Sequence, residues 1–387
     1  MRIAIFSNAY LPSISGVVNS ITLFRKGLIA AGHEVHVFAP EYEEYEDEES
    51  YIFRFPALDL SDQLDISIIV PIKNLIEPAV GGVKPALIHS QHPIWMGDLA
   101  VSFARSLNIP LVFTFHTQYE KYVQHYTPIA SKLAGLITDE VIKRYLRNCE
   151  HVVVPTESIR EMLAKDYGIE RGVSVVPTPV DLVKFQDIQP EKVRASFGLE
   201  GKEVLLFVGR LAREKGLDML LQAFTLIQEQ RPEVRLLLLG RGPYEDALKA
   251  KLAKLGFQEL VILAGAVPHE EVPVYYAAAD LFVFPSTTET QGLVIIEAMA
   301  AGLPVVAVQA PGAVDVLTDG GGVLTENKSE AFAREVVDIL ADSERQMELS
   351  SQARRAVERY SITDAAARML NAYEAALDSW ESRDQER

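Results

Sequence analysis

At 387 residues, 48% apolar and 24% charged, the chain has the composition of a soluble globular protein and the length of two to three domains. Acidic residues outnumber basic ones 54 to 37, for a net charge of −17. That excess excludes a general nucleic-acid binder, because phosphate recognition needs Lys and Arg, and it argues against tight electrostatic docking on anionic lipid. The single cysteine, Cys149, excludes an internal disulfide and a Cys-rich zinc site and fits a reducing, cytoplasmic compartment.

The predicted elements run as short apolar strands alternating with amphipathic helices, the pattern of a parallel sheet covered on both faces. Arg2–Ser7 reads as a first strand, not as a signal peptide, and no apolar run reaches the ~20 residues of a membrane helix. Val17–Ala31 follows as a helix stopped by Gly32. The acidic run Glu41–Glu49 reads as a solvated loop. Further strands are expected at Glu34–Ala39, Ala86–Ser90, Leu111–Phe115, Val152–Pro155 and Val173–Val176. Thr156 or Ser158 caps the helix after Val152–Pro155, and Ser158 and Glu161 have capping-box spacing. Pro177-Thr178-Pro179 and the polar stretch to Glu200 form the best linker. The pattern then restarts with a strand at Glu203–Val208, Gly209, a helix from about Gly216 to Arg231, and strands at Arg235–Leu239, Val261–Leu263, Leu281–Phe284 and Val305–Val308. Ile362–Arg387 is helical in pattern. The fold class is therefore α/β, two doubly wound domains in series facing across a cleft, and the loops after the strands are where ligands should bind.

Four such loops carry candidate chemistry. Ser286 to Pro304 follows a strand and leads into a helix. Gly292 lets backbone approach a ligand, and the amides of Gln291, Gly292, Leu293 and Val294 would point at an anion. Glu289 before the helix and Glu297 within it suit sugar hydroxyls, although two glutamates alone fit an ordinary helix better, since helices are rich in Glu. Gly209-Arg210 to Lys215-Gly216 ends the second domain's first strand and offers a fork and a point charge to a diphosphate. A positive loop making surface ion pairs is the bland alternative. Asn8 to Asn19 is not G-x-G-x-x-G, so no nicotinamide site is indicated; Gly16 would instead open a helix facing a phosphate. His116 ends a predicted strand, and Tyr119, Tyr122, His125 and Tyr126 follow, aromatics able to cover a sugar or an acyl chain.

Taken together, the Glu289–Glu297 string, the Gly209–Gly216 loop and the Gly16 loop resemble the retaining glycosyltransferase family four, with the GT-B fold, over almost the whole chain. The resemblance implies two Rossmann-like domains. Residues 1–182 would bind the acceptor, with the helix 363–387 packing back on them, and residues 183–362 would bind the nucleotide sugar. Arg210 and Lys215 would hold the donor diphosphate and stabilise the leaving group. Glu289 would contact the hexose, with the amides of Gln291, Gly292 and Leu293 supporting its hydroxyls and the phosphate. Glu297 would bind the ribose, Val267 would clamp the base, Gly16 would face the β-phosphate and His116 would lie beside the sugar. The resemblance implies no protein-bound metal and no tightly bound cofactor, the nucleotide sugar being a substrate.

Within that family, the stretch from His116 through Tyr119 and Tyr122 to His125 is similar to bacterial diacylglycerol glucosyltransferases. This implies UDP-glucose as donor, a lipid or sugar acceptor met by Asn19, His116, Tyr119, Tyr122 and His125, and transient contact with the inner membrane surface. Ile66–Val70, Ile72 and Leu75-Ile76 are candidate lining for an acyl chain, an ordinary buried helix and loop being the alternative. Lys143, Arg144 and Arg147 form only a modest basic cluster, where those relatives often carry a strongly basic helix. Transfer from GDP-mannose is the alternative within the class, and a non-catalytic nucleotide-sugar sensor the alternative outside it.

Overall fold

The computed structural model describes residues 1–13, 15–42, 44–58, 68–69, 73–116 and 131–385. The chain divides into two compact units, Met1–Pro179 with Ile362–Arg387, and Val180–Ser361. Each is built on one parallel sheet.

In the first unit the strands are β1 (Arg2–Phe6), β2 (Glu34–Pro40), β3 (Ile52–Phe55), β4 (Leu87–Ser90), β5 (Leu111–Thr114), β6 (His151–Val154) and β7 (Val173–Val175). Their order is β3-β2-β1-β4-β5-β6-β7. The second unit holds β8 (Glu203–Val208), β9 (Val234–Leu239), β10 (Val261–Gly265), β11 (Leu281–Phe284), β12 (Val305–Val308) and β13 (Gly322–Thr325), in the order β10-β9-β8-β11-β12-β13. Every pairing in both sheets is parallel. Connections reverse direction between β1 and β4 and again between β8 and β11, and a crevice for ligand opens at such switch points.

Both faces of each sheet are buried, which is why the strands read as continuous apolar runs. Successive side chains point to opposite faces: Ala4 and Phe6 join one core cluster, Ile3 and Ile5 the other. In the second unit Val204 and Leu206 face one cluster while Leu205 and Phe207 face its counterpart. The final helix, Ile362–Gln385, supplies Ala365, Met369, Ala372, Tyr373 and Ala376 to the first unit's core. Gly27 on the helix Gly16–Ala30 permits that approach, because a Cβ there would lie 2.7 Å from the Ala366 Cβ.

Several sequence expectations are corrected. β3 and β13 are additions to the expected strands: β3 is interrupted by Arg54 and β13 opens on a glycine, and both are edge strands paired on one side. The polar stretch toward Glu200 is not a linker. It holds a 3-10 turn at Leu182–Phe185 and a helix at Glu191–Ser196, and buries Phe185, Val193 and Leu199. It looks polar because only one side of it is apolar. Ser158 lies inside the helix Glu157–Met162 with Thr156 as its N-cap residue, so Ser158 and Glu161 form no capping box.

The acidic run is only half solvated. Glu41, Glu44, Glu46 and Glu48 are exposed, but Asp47 and Glu49 hold two arginines. Arg54 Nη2 lies 2.6 Å from Asp47 Oδ1 and also donates to the Leu11 carbonyl at 2.7 Å; its Nη1 donates to the Pro40 carbonyl at 2.8 Å. The rings of Tyr10, Tyr42 and Tyr45 surround it at 5.5–5.7 Å. Arg25, only 6% exposed on the first helix, pairs with Glu49 and donates to the Ser50 carbonyl at 2.7 Å. The run thus clasps both the first loop and the first helix.

Candidate functional site

Four loops of the second unit converge beyond the carboxyl ends of its strands. The loop after β8 turns at Gly209 and Gly216, and Gly216 has φ +72°. A Cβ at Gly216 would collide with the Pro285 carbonyl oxygen, so this glycine lets the loop lie against the end of β11. After β9, Gly240 packs equally tightly on the Gly209 carbonyl. After β12, a Cβ at Gly312 would sit 3.0 Å from the Gln291 amide nitrogen and 3.1 Å from the Glu289 carbonyl oxygen.

This packing brings Lys215 to Glu289 across 74 residues, and their ammonium and carboxylate form an ion pair. Ser286 Oγ donates to the same Glu289 Oε1 at 3.2 Å. Burial alone would raise the Glu289 pKa. The Lys215 charge and hydrogen bond outweigh it, with help from Ser286 and Arg210, and hold the carboxyl below its ordinary range. Arg210 Nη2 is 2.6 Å from Glu214 Oε1. Gly292, at φ +73°, precedes the helix Leu293–Ala300. The first amides of that helix have no partner within it and favour an anion.

Glu297 stands within that helix, 7% exposed. Burial pushes its carboxyl up to about 7, against the opposing hydrogen bond from Tyr276 and the charge of Lys184. Val267 is half-buried against the core beside Gly265, in the loop after β10. Arg210, Lys215, Glu289, Gln291, Gly292, Leu293, Glu297 and Val267 therefore all lie beyond strand ends or at the helix that follows β11, in one unit. Two carboxylates can accept from hydroxyls, and two cations and the helix amides can face an anion.

In the first unit, Gly16 is the exposed first residue of its helix, with Ser15 as N-cap accepting from the Val18 amide at 3.2 Å. Asn19 is half-buried in the first turn. His116 follows β5, its Nε2 2.6 Å from Gln91 Oε1. With the Gln91 oxygen accepting, Nε2 carries the proton. Burial, reinforced by His92 and His89, lowers the His116 pKa to about 3, so the ring is neutral and serves as a hydrogen-bonding group, not as a cation. His92 Nδ1 accepts the Asn8 amide at 3.1 Å, and His89 bridges Thr114 at 2.6 Å and Tyr373 of the final helix at 2.7 Å.

Tyr119, Tyr122, His125 and Tyr126 lie outside the described residues, as do Ile66, Val70 and Ile72 of the candidate acyl lining. Of its other members, Ile68 and Ile69 form a short strand, Leu75 is 53% exposed and Ile76 is buried. Among the described residues no group of three or more His, Cys, Asp or Glu side chains is placed to hold a metal ion, and no helix is long and apolar enough to cross a membrane. Sequence reasoning passed over Glu214, Gln91 and Tyr276. Glu214 stands four residues from Arg210 in a loop already singled out; Gln91 and Tyr276 carry no sequence signal, since only folding brings them to their partners.

This geometry can be set beside known proteins. The family model for glycosyl transferases group 1 matches residues 189–356, and that for glycosyltransferase family 4 matches residues 14–184. An alpha-monoglucosyldiacylglycerol synthase of Streptococcus pneumoniae is 33% identical over 316 residues, 79% of this chain and 71% of that protein. The protein of the same name from Acholeplasma laidlawii is 31% identical over 363 residues, 89% of each chain. The chain belongs to glycosyltransferase family 4. This family 4 glycosyltransferase is also 31% identical to a GDP-mannose-dependent alpha-mannosyltransferase of Corynebacterium glutamicum, over 83% of this chain and 75% of that protein. Among solved structures, Anabaena Alr3699/HepE in complex with UDP has a TM-score of 0.75 at 20% identity, covering 97% of this chain and all of that one. The fold of the family 4 glycosyltransferase, two Rossmann-like units of the GT-B class, is thus shared at a level where sequence identity has largely gone.

Proposed function

We propose that this enzyme transfers glucose from UDP-glucose to a hydroxyl of a diacylglycerol-type lipid at a membrane surface, with retention of configuration. The observation that carries the reading is the Lys215–Glu289 pair beside Arg210 and the N-terminus of the helix Leu293–Ala300. It offers a diphosphate two cations and a helix dipole, and a hexose a charged acceptor. The two diacylglycerol glucosyl synthases, similar over 79% and 89% of the chain, support the acceptor and the sugar.

In this mechanism the bond from the anomeric carbon to the donor phosphate breaks, and its electron pair stays on the diphosphate. Arg210, Lys215 and the helix amides stabilise that charge. The acceptor oxygen forms its bond to the same face of the anomeric carbon, and its proton passes to the departing phosphate oxygen. Glu289 holds the hexose hydroxyls. Donor selection falls to Glu297 at the ribose and Val267 at the base.

A thermal-shift panel with UDP, GDP and ADP, followed by radiolabelled transfer to diacylglycerol, tests the reading. A nucleotide at about a hundred times its dissociation constant adds about 2.7 kcal/mol of stability. Selective stabilisation by UDP with glucosyl transfer to lipid is the expected result. Selective stabilisation by GDP moves the reading to mannosyl transfer, which the Corynebacterium glutamicum relative favours. Binding without turnover on any acceptor supports a sensor, and no response to any nucleotide overturns the donor site.

A further inference from the structure

The geometry points to Tyr276 as a positioning residue: it holds Glu297 as a charged acceptor for the vicinal diol of the donor's ribose, and thereby governs how tightly, and over what pH range, the nucleotide binds. This rests on the reading of Glu297 given above, and adds to it a residue that the sequence motifs did not single out.

Tyr276 comes from the helix Val272–Ala277, is fully buried, and reaches Glu297 on the helix after β11. Its hydroxyl donates to Glu297 Oε2 at 2.9 Å and lies 3.2 Å from the Val294 carbonyl oxygen. One proton therefore faces two acceptors. With Glu297 ionised, the proton serves the carboxylate, in a charge-assisted bond that occupies Oε2 and leaves Oε1 to accept from a ligand. With Glu297 protonated, the acid donates to the tyrosine oxygen and the tyrosine proton turns to Val294. The hydroxyl is thus satisfied in both states, and it converts the protonation of Glu297 into a choice between a carboxylate with Oε1 left to accept and an acid whose proton is spent on the tyrosine.

The ring cannot swing away to do otherwise. The rings of Phe185 and Phe282 pack on it at centroid distances of 5.8 and 5.6 Å. The groups that bias Glu297 are Tyr276 and Lys184, from the turn Leu182–Phe185; both favour the charged form, while burial opposes it. The balance sits at about 7, where a ligand hydroxyl pair has leverage over it. Removing the tyrosine hydroxyl takes away a stabiliser of the charge, so the carboxyl should hold its proton to higher pH.

The experiment is calorimetric binding of UDP-glucose, or of GDP-mannose if guanine is the base bound, to the full chain between pH 6 and 9, since neither carries a terminal phosphate that titrates in that range. It compares wild type, Y276F and E297Q. In the wild type affinity should rise as pH increases through about 7. In Y276F it should fall by about tenfold at pH 7, with the rise displaced to higher pH and the gap narrowing at pH 9. E297Q should bind weakly at every pH. A Y276F profile that superposes on the wild type, or lies below it by one constant factor, overturns the assignment. So does a pH dependence that persists in E297Q, which decides the matter even if Y276F does not fold. Failure of the wild type to bind either nucleotide instead sinks the functional reading itself.

Discussion

Lys215 and Glu289 are each ordinary alone; together, partly shielded from water, they form a pair whose rupture leaves a charge without its partner. Lys215→Ala should therefore lower donor kcat/KM by at least tenfold, roughly the 1.5–3 kcal/mol of one charged hydrogen bond, and lower Tm as well. Unchanged steady-state kinetics would remove Lys215 from the donor site. Glu297 makes an opposite kind of prediction. Its folded pKa of about 7 lies above the ordinary 4.5. Between those values the folded chain keeps a proton that the unfolded chain has released, so this group's contribution to stability falls as pH rises through that window. Above about pH 7 the buried charge is a constant cost. E297Q, which removes the titration, should gain on the wild type in Tm between pH 5 and pH 8. A difference in Tm that does not vary with pH would refute the assignment. Glu289 runs the other way: its lowered pKa stabilises the fold above the ordinary carboxylate range and is lost on acidification.

Single elements place these residues only because loops pack without side chains between them. Gly216 is the sharpest case, with a positive φ and a carbonyl oxygen where a Cβ would go. Gly216→Ala should destabilise the second unit by on the order of 1–3 kcal/mol and weaken nucleotide binding, since Lys215 moves with it. Urea unfolding alongside nucleotide titration checks both; full stability with full affinity would show the loop has room to spare. The acidic clasp is the counterpart in the first unit. Arg54 ties the Leu11 carbonyl to Asp47 and to the end of β2, three anchors on one guanidinium. Arg54→Ala should cost more than Asp47→Asn, about 2 to 3 kcal/mol against about 1, because it strands two carbonyls as well as a carboxylate. Equal losses in denaturant titrations would mean the ion pair alone matters.

At the scale of the molecule, the final helix is the chain's long-range commitment. It leaves the second unit's sequence and completes the first unit's core, where Tyr373 reaches His89. Deleting residues 362–387 should expose the β1 and β2 face and strip hydrogen-exchange protection from those strands, while β8 and β9 keep theirs. Protection that survives in β1 would show the helix to be an ornament of the fold. Since the two units have separate cores, nucleotide should stabilise the second unit directly.

Much of this was legible from residue order alone. Strands buried on both faces need unbroken apolar runs, so ten of the eleven strands expected across the two halves could be read to within a residue at each end, and the eleventh, Val261–Gly265, two residues short at its carboxyl end. Strand-end position also singled out Arg210, Lys215, Glu289 and Glu297, because parallel sheets present their loops where ligands sit. The edge strands β3 and β13 escaped, since an edge needs no apolar run and takes an arginine or a glycine without penalty. The acidic run escaped for a related reason: its pairing depends on Arg25 and Arg54, which approach it only after β2 and β3 have paired. Local composition determined the elements and the chemistry they carry. Packing between distant segments decided which charge meets which, as in Lys215 with Glu289, Tyr276 with Glu297 and His89 with Tyr373, because no periodicity in a chain records a contact made across 74, 21 or 284 residues.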